Sequence, residues 1–277
     1  MSSLLHSGSS IMFCGGLDSN DQERPECWKL DSNENTWKAA PSLQQATAYA
    51  AHATVDEKFY VMGGWYKNKA VDMLQIFSNG KWSVGAPMLT ARYGACAVAY
   101  MKYVVVVGGW KSLNADQALD AQKTIEVYSI ARKKWKSLES PDNFKGLSTS
   151  SCASFADPGK GGMILVGGIT YTKSSKSLRP EVNKGVEILT FGGRKGNIGV
   201  KQSEGVPVSW QAGMGWVGDW LFLAGGRGAS GKSERGIFRW KEGRTWEQFG
   251  NLAASRDQAA SLVISNNWAR FAKNCTW

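Results

Sequence analysis

IMFCGG at residues 11–16, FYVMGG at 59–64, VVVVGG at 104–109, MILVGG at 163–168 and LFLAGG at 221–226 are five versions of one phrase, a short apolar run closed by Gly-Gly. The first glycines of successive pairs stand 48, 45, 59 and 58 residues apart. Each run is unbroken and rich in large aliphatic side chains, the pattern of a strand covered on both faces rather than one. The glycine pair then supplies backbone freedom where another part of the chain must pass close by. Recurrence at this interval marks a chain built from copies of one supersecondary unit.

Working outward from the doublets, each is followed by a variable polar loop and then a second hairpin. In the first unit this reads CWKLDSNENTW, with Leu30 and Trp37 seven residues apart, and in the third IEVYSIARKKW, with Tyr128 and Trp135 at the same spacing. LQIFSNGKW and GIFRWKEGRTW make tighter turns in the second and fifth units, and Asn79-Gly80 is a two-residue hairpin signal. The fourth unit, VEILTFGGRKGNIGV, keeps the alternation and loses the terminal Trp. Before the doublets come strands of small and apolar residues, clearest in ATAYAAHATV (46–55) and ARYGACAVAY (91–100), suited to a crowded innermost position. The unit is therefore four short strands without helical periodicity.

These features together resemble the kelch-repeat family: the Gly-Gly doublet, the Tyr-like position, the later Trp and a period near the roughly 50 residues of kelch. The resemblance covers essentially the whole chain and implies one all-β domain over residues 1–277, a kelch-type β-propeller of four-stranded blades. Five blades are expected, with six as the alternative. RDQAASLVISNNW (256–268) looks like an innermost strand without its Gly-Gly partner, and is expected to close the ring by completing the first blade alongside the N-terminal strand. WARFAKNCTW is the segment that would instead open a sixth blade.

Composition and motifs speak against chemistry. The chain has 277 residues with ordinary hydrophobic and charged fractions, and no apolar run of the roughly 20 residues a membrane helix needs. Only two histidines, His6 and His52, are present, too few and too scattered for a copper-radical centre of the galactose-oxidase kind. No GxSxG, HExxH, Walker loop or CxxC pair occurs, and Gly192–Gly196 (GGRKG) reads as a Gly-rich turn. Arg92, Glu187 and Arg256 are the residues a sialic-acid-epimerase-like site would have to recruit. No catalysis, metal or cofactor is expected. The five cysteines lack metal spacing: Cys96 and Cys152 read as buried thiols, and Cys14 or Cys27 is the candidate partner for Cys275.

Recognition on a propeller falls to loops carried by the rigid strands. In this family the post-doublet loops and the blade-linking segments emerge on one face, which here collects Trp65, Lys67, Lys69, Arg92, Tyr93, Trp110, Lys111, Tyr171, Lys173, Arg179, Arg227 and Arg256. The net charge is +10, and residues 173–244 hold 13 Lys or Arg against 6 Asp or Glu. Such a field steers acidic partners. The expected function is a monomeric, non-catalytic protein-interaction module for an acidic peptide or protein surface, of the substrate-receptor or cytoskeletal kind. The rival is a carbohydrate-active or sugar-binding propeller, to which the sequon Asn274-Cys275-Thr276 would suit. No nucleic-acid module is visible. Without a visible secretory signal or the BTB and BACK regions of ligase adaptors, a cytoplasmic protein is expected, or an extracellular one if the chain is a fragment of a secreted protein.

Overall fold

The computed structural model describes residues 3–7, 10–31, 34, 36–111, 123–157, 160–174, 177–192, 197–203, 205–206, 210–228 and 230–256. Five four-stranded antiparallel sheets follow one another as blades. From innermost to outermost strand, blade one is Ser3–Ser7, Ser10–Cys14, Cys27–Asp31 and Thr36–Ala40; blade two is Ala51–Val55, Lys58–Met62, Leu74–Ser78 and Lys81–Val84. Blade three is Cys96–Tyr100, Tyr103–Val107, Ile125–Ser129 and Lys134–Leu138, and blade four is Ser151–Asp157, Lys160–Val166, Val186–Gly192 and Asn197–Ser203. Blade five is Gly213–Val217, Trp220–Ala224, Glu234–Trp240 and Glu247–Arg256. Two further hairpins, Trp65–Tyr66 with Lys69–Ala70 and Ile169–Ser174 with Ser177–Val182, rise from the loops that follow the doublets of blades two and four.

The apolar run before each glycine pair is the second strand, and in blade three Val104, Val105, Val106 and Val107 are all buried because a neighbouring blade covers each face. Apolar clusters fill the seams. Leu5, Met12, Val61 and Trp82 join blades one and two; Tyr60, Met62, Val104 and Tyr128 join two and three. Val105, Val107, Met163 and Leu165 join three and four, and Ile164, Val166, Leu221 and Leu223 join four and five. The outer-strand tryptophans lock onto the preceding blade: the Trp82 indole donates to the Pro41 carbonyl at 2.9 Å and Trp135 to that of Ala86 at 2.8 Å.

The glycine doublets have a steric reason. Both glycines sit at positive φ, and a Cβ on Gly108 would run into the Leu147 carbonyl. The second glycine donates its N–H to the linker into the next blade: Gly16 to Thr47, Gly64 to Arg92, Gly109 to Leu147 and Gly226 to Arg256.

Two expectations give way here. The innermost place of blade one is taken by the N-terminal strand Ser3–Ser7, paired in register with Ser10–Cys14, so among the described residues that sheet has its four strands without a C-terminal one. Residues 257–277, including Cys275 and the sequon, lie outside the described residues. Cys96 and Cys152 are not free thiols: they form a disulfide between the innermost strands of blades three and four, with Cα atoms 6.1 Å apart. Cys14 pairs with Cys27, its cross-strand neighbour in blade one, rather than with Cys275. Pairings between residues 56 positions apart leave no local mark in a sequence, which is why apolar surroundings alone suggested buried thiols.

Candidate functional site

The post-doublet loops and the blade-linking segments meet as paired backbones. Ala48 pairs with Trp65, Tyr93 with Trp110, Ser148 with Ile169 and Trp210 with Arg227, each through two N–H to carbonyl bonds. One residue further on, Gly94 donates to Tyr49, Thr149 to Gly94 and Gln211 to Thr149, a chain of main-chain bonds running from blade to blade. Tyr49, Gly94, Thr149 and Gln211 all hold positive φ to make these bonds. The expected convergence of loops is thus built by backbone pairing, which leaves side chains free to differ.

Tyr93 stands at the centre of an aromatic group on this face. Its ring meets Trp65 edge-on at 4.9 Å, Trp110 at 5.4 Å and Tyr49 at 6.4 Å. Trp65, Trp110 and Tyr49 are half-buried, and Tyr93 is buried beneath them. Edge-to-face contacts of this kind hold large rings in place without covering their outer faces. Around them, Lys67, Lys69 and Lys111 are exposed, with Lys67 folded over the Tyr66 ring at 5.2 Å from its centroid. Lys67 and Asn68 take positive φ to turn the short hairpin between Trp65 and Ala70.

Arg92 does not belong to that surface. It is 1% exposed and its guanidinium pairs with the Glu126 carboxylate at 2.5 Å. It also donates to the carbonyls of Gly108 and Thr124 and to the Thr124 hydroxyl. A fork of five donors with an ion partner and three oxygens is a structural rivet, not a ligand contact. Arg227 is half-buried beside the Trp210 backbone, and Arg256 is exposed at the end of blade five. Tyr171, Lys173 and Arg179 fall on the long hairpin of blade four, and their side chains lie outside the described residues. Arg92, Glu187 and Arg256 form no joint site: Arg92 is consumed by Glu126, and Glu187 contacts the Lys145 N–H and Gln202. Burial raises the Glu187 carboxyl above its ordinary value, against the opposing pull of those two donors. Among the described residues, no group of three or more His, Cys, Asp or Glu is placed to hold a metal. His52 is held neutral by burial, its pKa lowered to about 4.

The Kelch motif family matches residues 46–89 and 91–141, which are blades two and three together with the linkers that carry Trp65, Tyr93 and Trp110. The fold is a five-bladed β-propeller that carries kelch repeats. Kelch-like protein 38 of Homo sapiens is 21% identical over 266 residues, covering 78% of this chain and 42% of that protein. Kelch-like protein 38 of Mus musculus is 23% identical over 134 residues, 46% of this chain and 22% of that protein. An F-box/kelch-repeat protein of Arabidopsis thaliana is 25% identical over 131 residues, 47% of this chain and 29% of that protein. The chain therefore spans less than half the length of these curated relatives. The solved structure of YjhT superposes with a TM-score of 0.75 at 16% identity, covering 94% of this chain and 86% of that one, which is a likeness of fold. No helix among the described residues of the kelch propeller is long and apolar enough to cross a membrane.

Proposed function

We propose that this propeller is a non-catalytic interaction module whose loop face binds an acidic peptide or protein segment, in the manner of a substrate receptor or a cytoskeletal adaptor. The observation that carries the reading is the Trp65–Tyr93–Trp110 stack bordered by Lys67, Lys69 and Lys111. Pre-positioned, half-exposed aromatic rings are the usual anchors of a binding hot spot, because their area is buried with little loss of side-chain freedom. The rim lysines attract carboxylates or phosphates and raise the association rate more than the final affinity. Kelch-like and F-box/kelch relatives support a protein-binding role over a catalytic one.

A second reading is favoured by the disulfides. Cys14–Cys27 and Cys96–Cys152 are chemistry of an oxidising compartment, which weighs against the cytoplasmic expectation and for an extracellular setting. There the same tryptophans would stack on sugar rings of an acidic glycan.

The test is one binding screen of the full chain against acidic and phosphorylated peptides and against sialylated glycans. Trp65→Ala, Trp110→Ala and a Lys67→Ser/Lys69→Ser/Lys111→Ser variant run beside the parent. Peptide binding that falls at least about tenfold in either Trp variant, and loses its salt dependence in the triple variant, supports the adaptor reading. Binding confined to glycans selects the second reading, and ligand retention unchanged in all three variants removes this face from both.

A further inference from the structure

Three consecutive seams between innermost strands are closed by different chemistry at the same place. Ser151 opens the innermost strand of blade four, and its hydroxyl donates at 2.7 Å to the carbonyl of Ala212, the residue just before the innermost strand of blade five. Cys96 opens the innermost strand of blade three, and its Sγ lies 3.2 Å from the carbonyl of Ser150, the residue just before the innermost strand of blade four. The second sulfur also has a carbonyl near it, that of Ala97 at 3.9 Å from Cys152. Blade two fills the same place with Ala51, packed in one apolar cluster with Ala97 of blade three. The fold therefore closes this position without a bridge in two of the three seams. A reduced Cys96 has a thiol hydrogen bond ready where Ser151 makes its own.

The bridge stands directly behind the loop face. Cys96 follows Gly94 by two residues and Cys152 follows Thr149 by three, and Thr149 donates its N–H to the Gly94 carbonyl at 2.8 Å. Tyr93, just before Gly94, is bonded through its backbone both ways to Trp110. Gly109 in turn rests on Ala95, where an added Cβ would stand 2.9 Å from the alanine methyl. The sulfur bridge and the main-chain link fasten the same two linkers, one covalently and one not. We propose that Cys96–Cys152 is a redox lock on the loop face: oxidised, it fixes the Tyr93–Trp110 geometry, and reduced, it leaves that geometry to hydrogen bonds alone. The sulfurs differ in access. Cys152 is half-buried and Cys96 is 6% exposed, whereas Cys14 and Cys27 are both 1% exposed. A small dithiol therefore attacks at Cys152: its thiolate bonds to that sulfur, and the Cys96 sulfur leaves and takes a proton. The second thiolate of the reductant then displaces the Cys152 sulfur, which takes the other proton. Two electrons have passed to the bridge, and the dithiol ends as a cyclic disulfide. The geometry of the lock stands by itself, and its effect on binding rests on the loop-face reading.

The test uses the unaltered full chain with dithiothreitol as the dithiol, alkylation of the released thiols mapped by mass spectrometry, and amide exchange in both states. Cys96 and Cys152 are expected to be alkylated at least about tenfold faster than Cys14 and Cys27. With only the Cys96–Cys152 bridge open, the far-UV circular dichroism is expected to stay unchanged. Exchange of the Thr149 N–H should quicken at least about tenfold, while that of Gly16, bonded to Thr47 at the first doublet, should not. Equal exchange at Thr149 in the two states overturns the proposal, as does loss of the fold on reduction or prior opening of Cys14–Cys27. Cys96→Ser/Cys152→Ser repeats the measurement without reductant and should exchange like the reduced parent; the oxidised rate would overturn the proposal. An acidic phosphorylated peptide retained in the binding screen should bind about fivefold more weakly to the reduced chain, because a preorganised site has been loosened. Equal affinity in the two states also overturns the lock. If no peptide binds in either state and Thr149 exchange still quickens, the loop-face reading falls and the lock stands.

Discussion

Blades three and four hold a buried glutamate at the same place, second in the third strand, and surround it differently. Glu126 accepts the Leu89 N–H of the preceding linker at 2.8 Å and pairs with Arg92. Glu187 accepts the Lys145 N–H at 3.3 Å and the Gln202 amide at 2.8 Å, with no guanidinium beside it, and its Oε2 has no hydrogen-bond partner among the described residues. Blade two places Gln75 at that position, bonded both ways to the Gln45 backbone. The common task is to hold the incoming linker, and the charge is optional. A parallel substitution occurs at the first glycine of the doublet. Its carbonyl takes a bond from Thr47 in blade two, from Arg92 in blade three and, where the Arg92 position is occupied by Leu147, from Asn183 in blade four. The repeat conserves acceptors and donors in space while moving them along the chain.

The sharpest way to break this comparison is Arg92→Met. It leaves Glu126 buried without its counter-ion, and a loss of about 3–5 kcal/mol in denaturant unfolding is expected. Adding Glu126→Gln should return most of that loss, since blade two already works with Gln; a double variant no better than the single would mean that Arg92 acts through packing instead. Asn183→Ala should cost about 1–3 kcal/mol, the loss of donors to the carbonyls of Gly167 and Gly185. A cost near zero would show that the fourth blade does not need this replacement for Arg92. Glu187→Gln is the mildest change, and its effect depends on pH. Because folding raises this carboxyl above its unfolded value, ionised Glu187 weakens the fold progressively as pH rises through and beyond 4.5. The variant should match the parent near pH 4 and equal or exceed it by up to about 1 kcal/mol at pH 7. A variant clearly weaker at pH 7 would show the carboxylate to be as well served as Glu126.

How far these features were legible in the sequence follows from their range. The second strands announced themselves, because burial on both faces leaves an unbroken apolar run and the doublet repeats a steric need. The innermost strand of blade one did not, since SLLHS is short and half polar. Arg92 was misread because a charged residue in a linker ordinarily faces water, and its partner Glu126 is 34 positions away. A signal for it was present: LQIF, IEVY and VEIL, the openings of three third strands, each put a polar residue second in an otherwise apolar run. The aromatic stack was legible as a set of loop residues, whereas the burial of Tyr93 under its neighbours depended on how the linkers cross.

The disulfide from Cys96 to Cys152 encloses the whole of blade three and the linker behind it. When the chain is pulled from its ends, tension passes across the sulfur bridge and bypasses everything between. Outside the two bridges the chain can be drawn out to its contour length, but the 55 residues between Cys96 and Cys152, like the 12 between Cys14 and Cys27, add nothing to the extension until the bridges are reduced. Under load the molecule is a shorter rope than its residue count suggests, with a knot of slack that only a reductant releases.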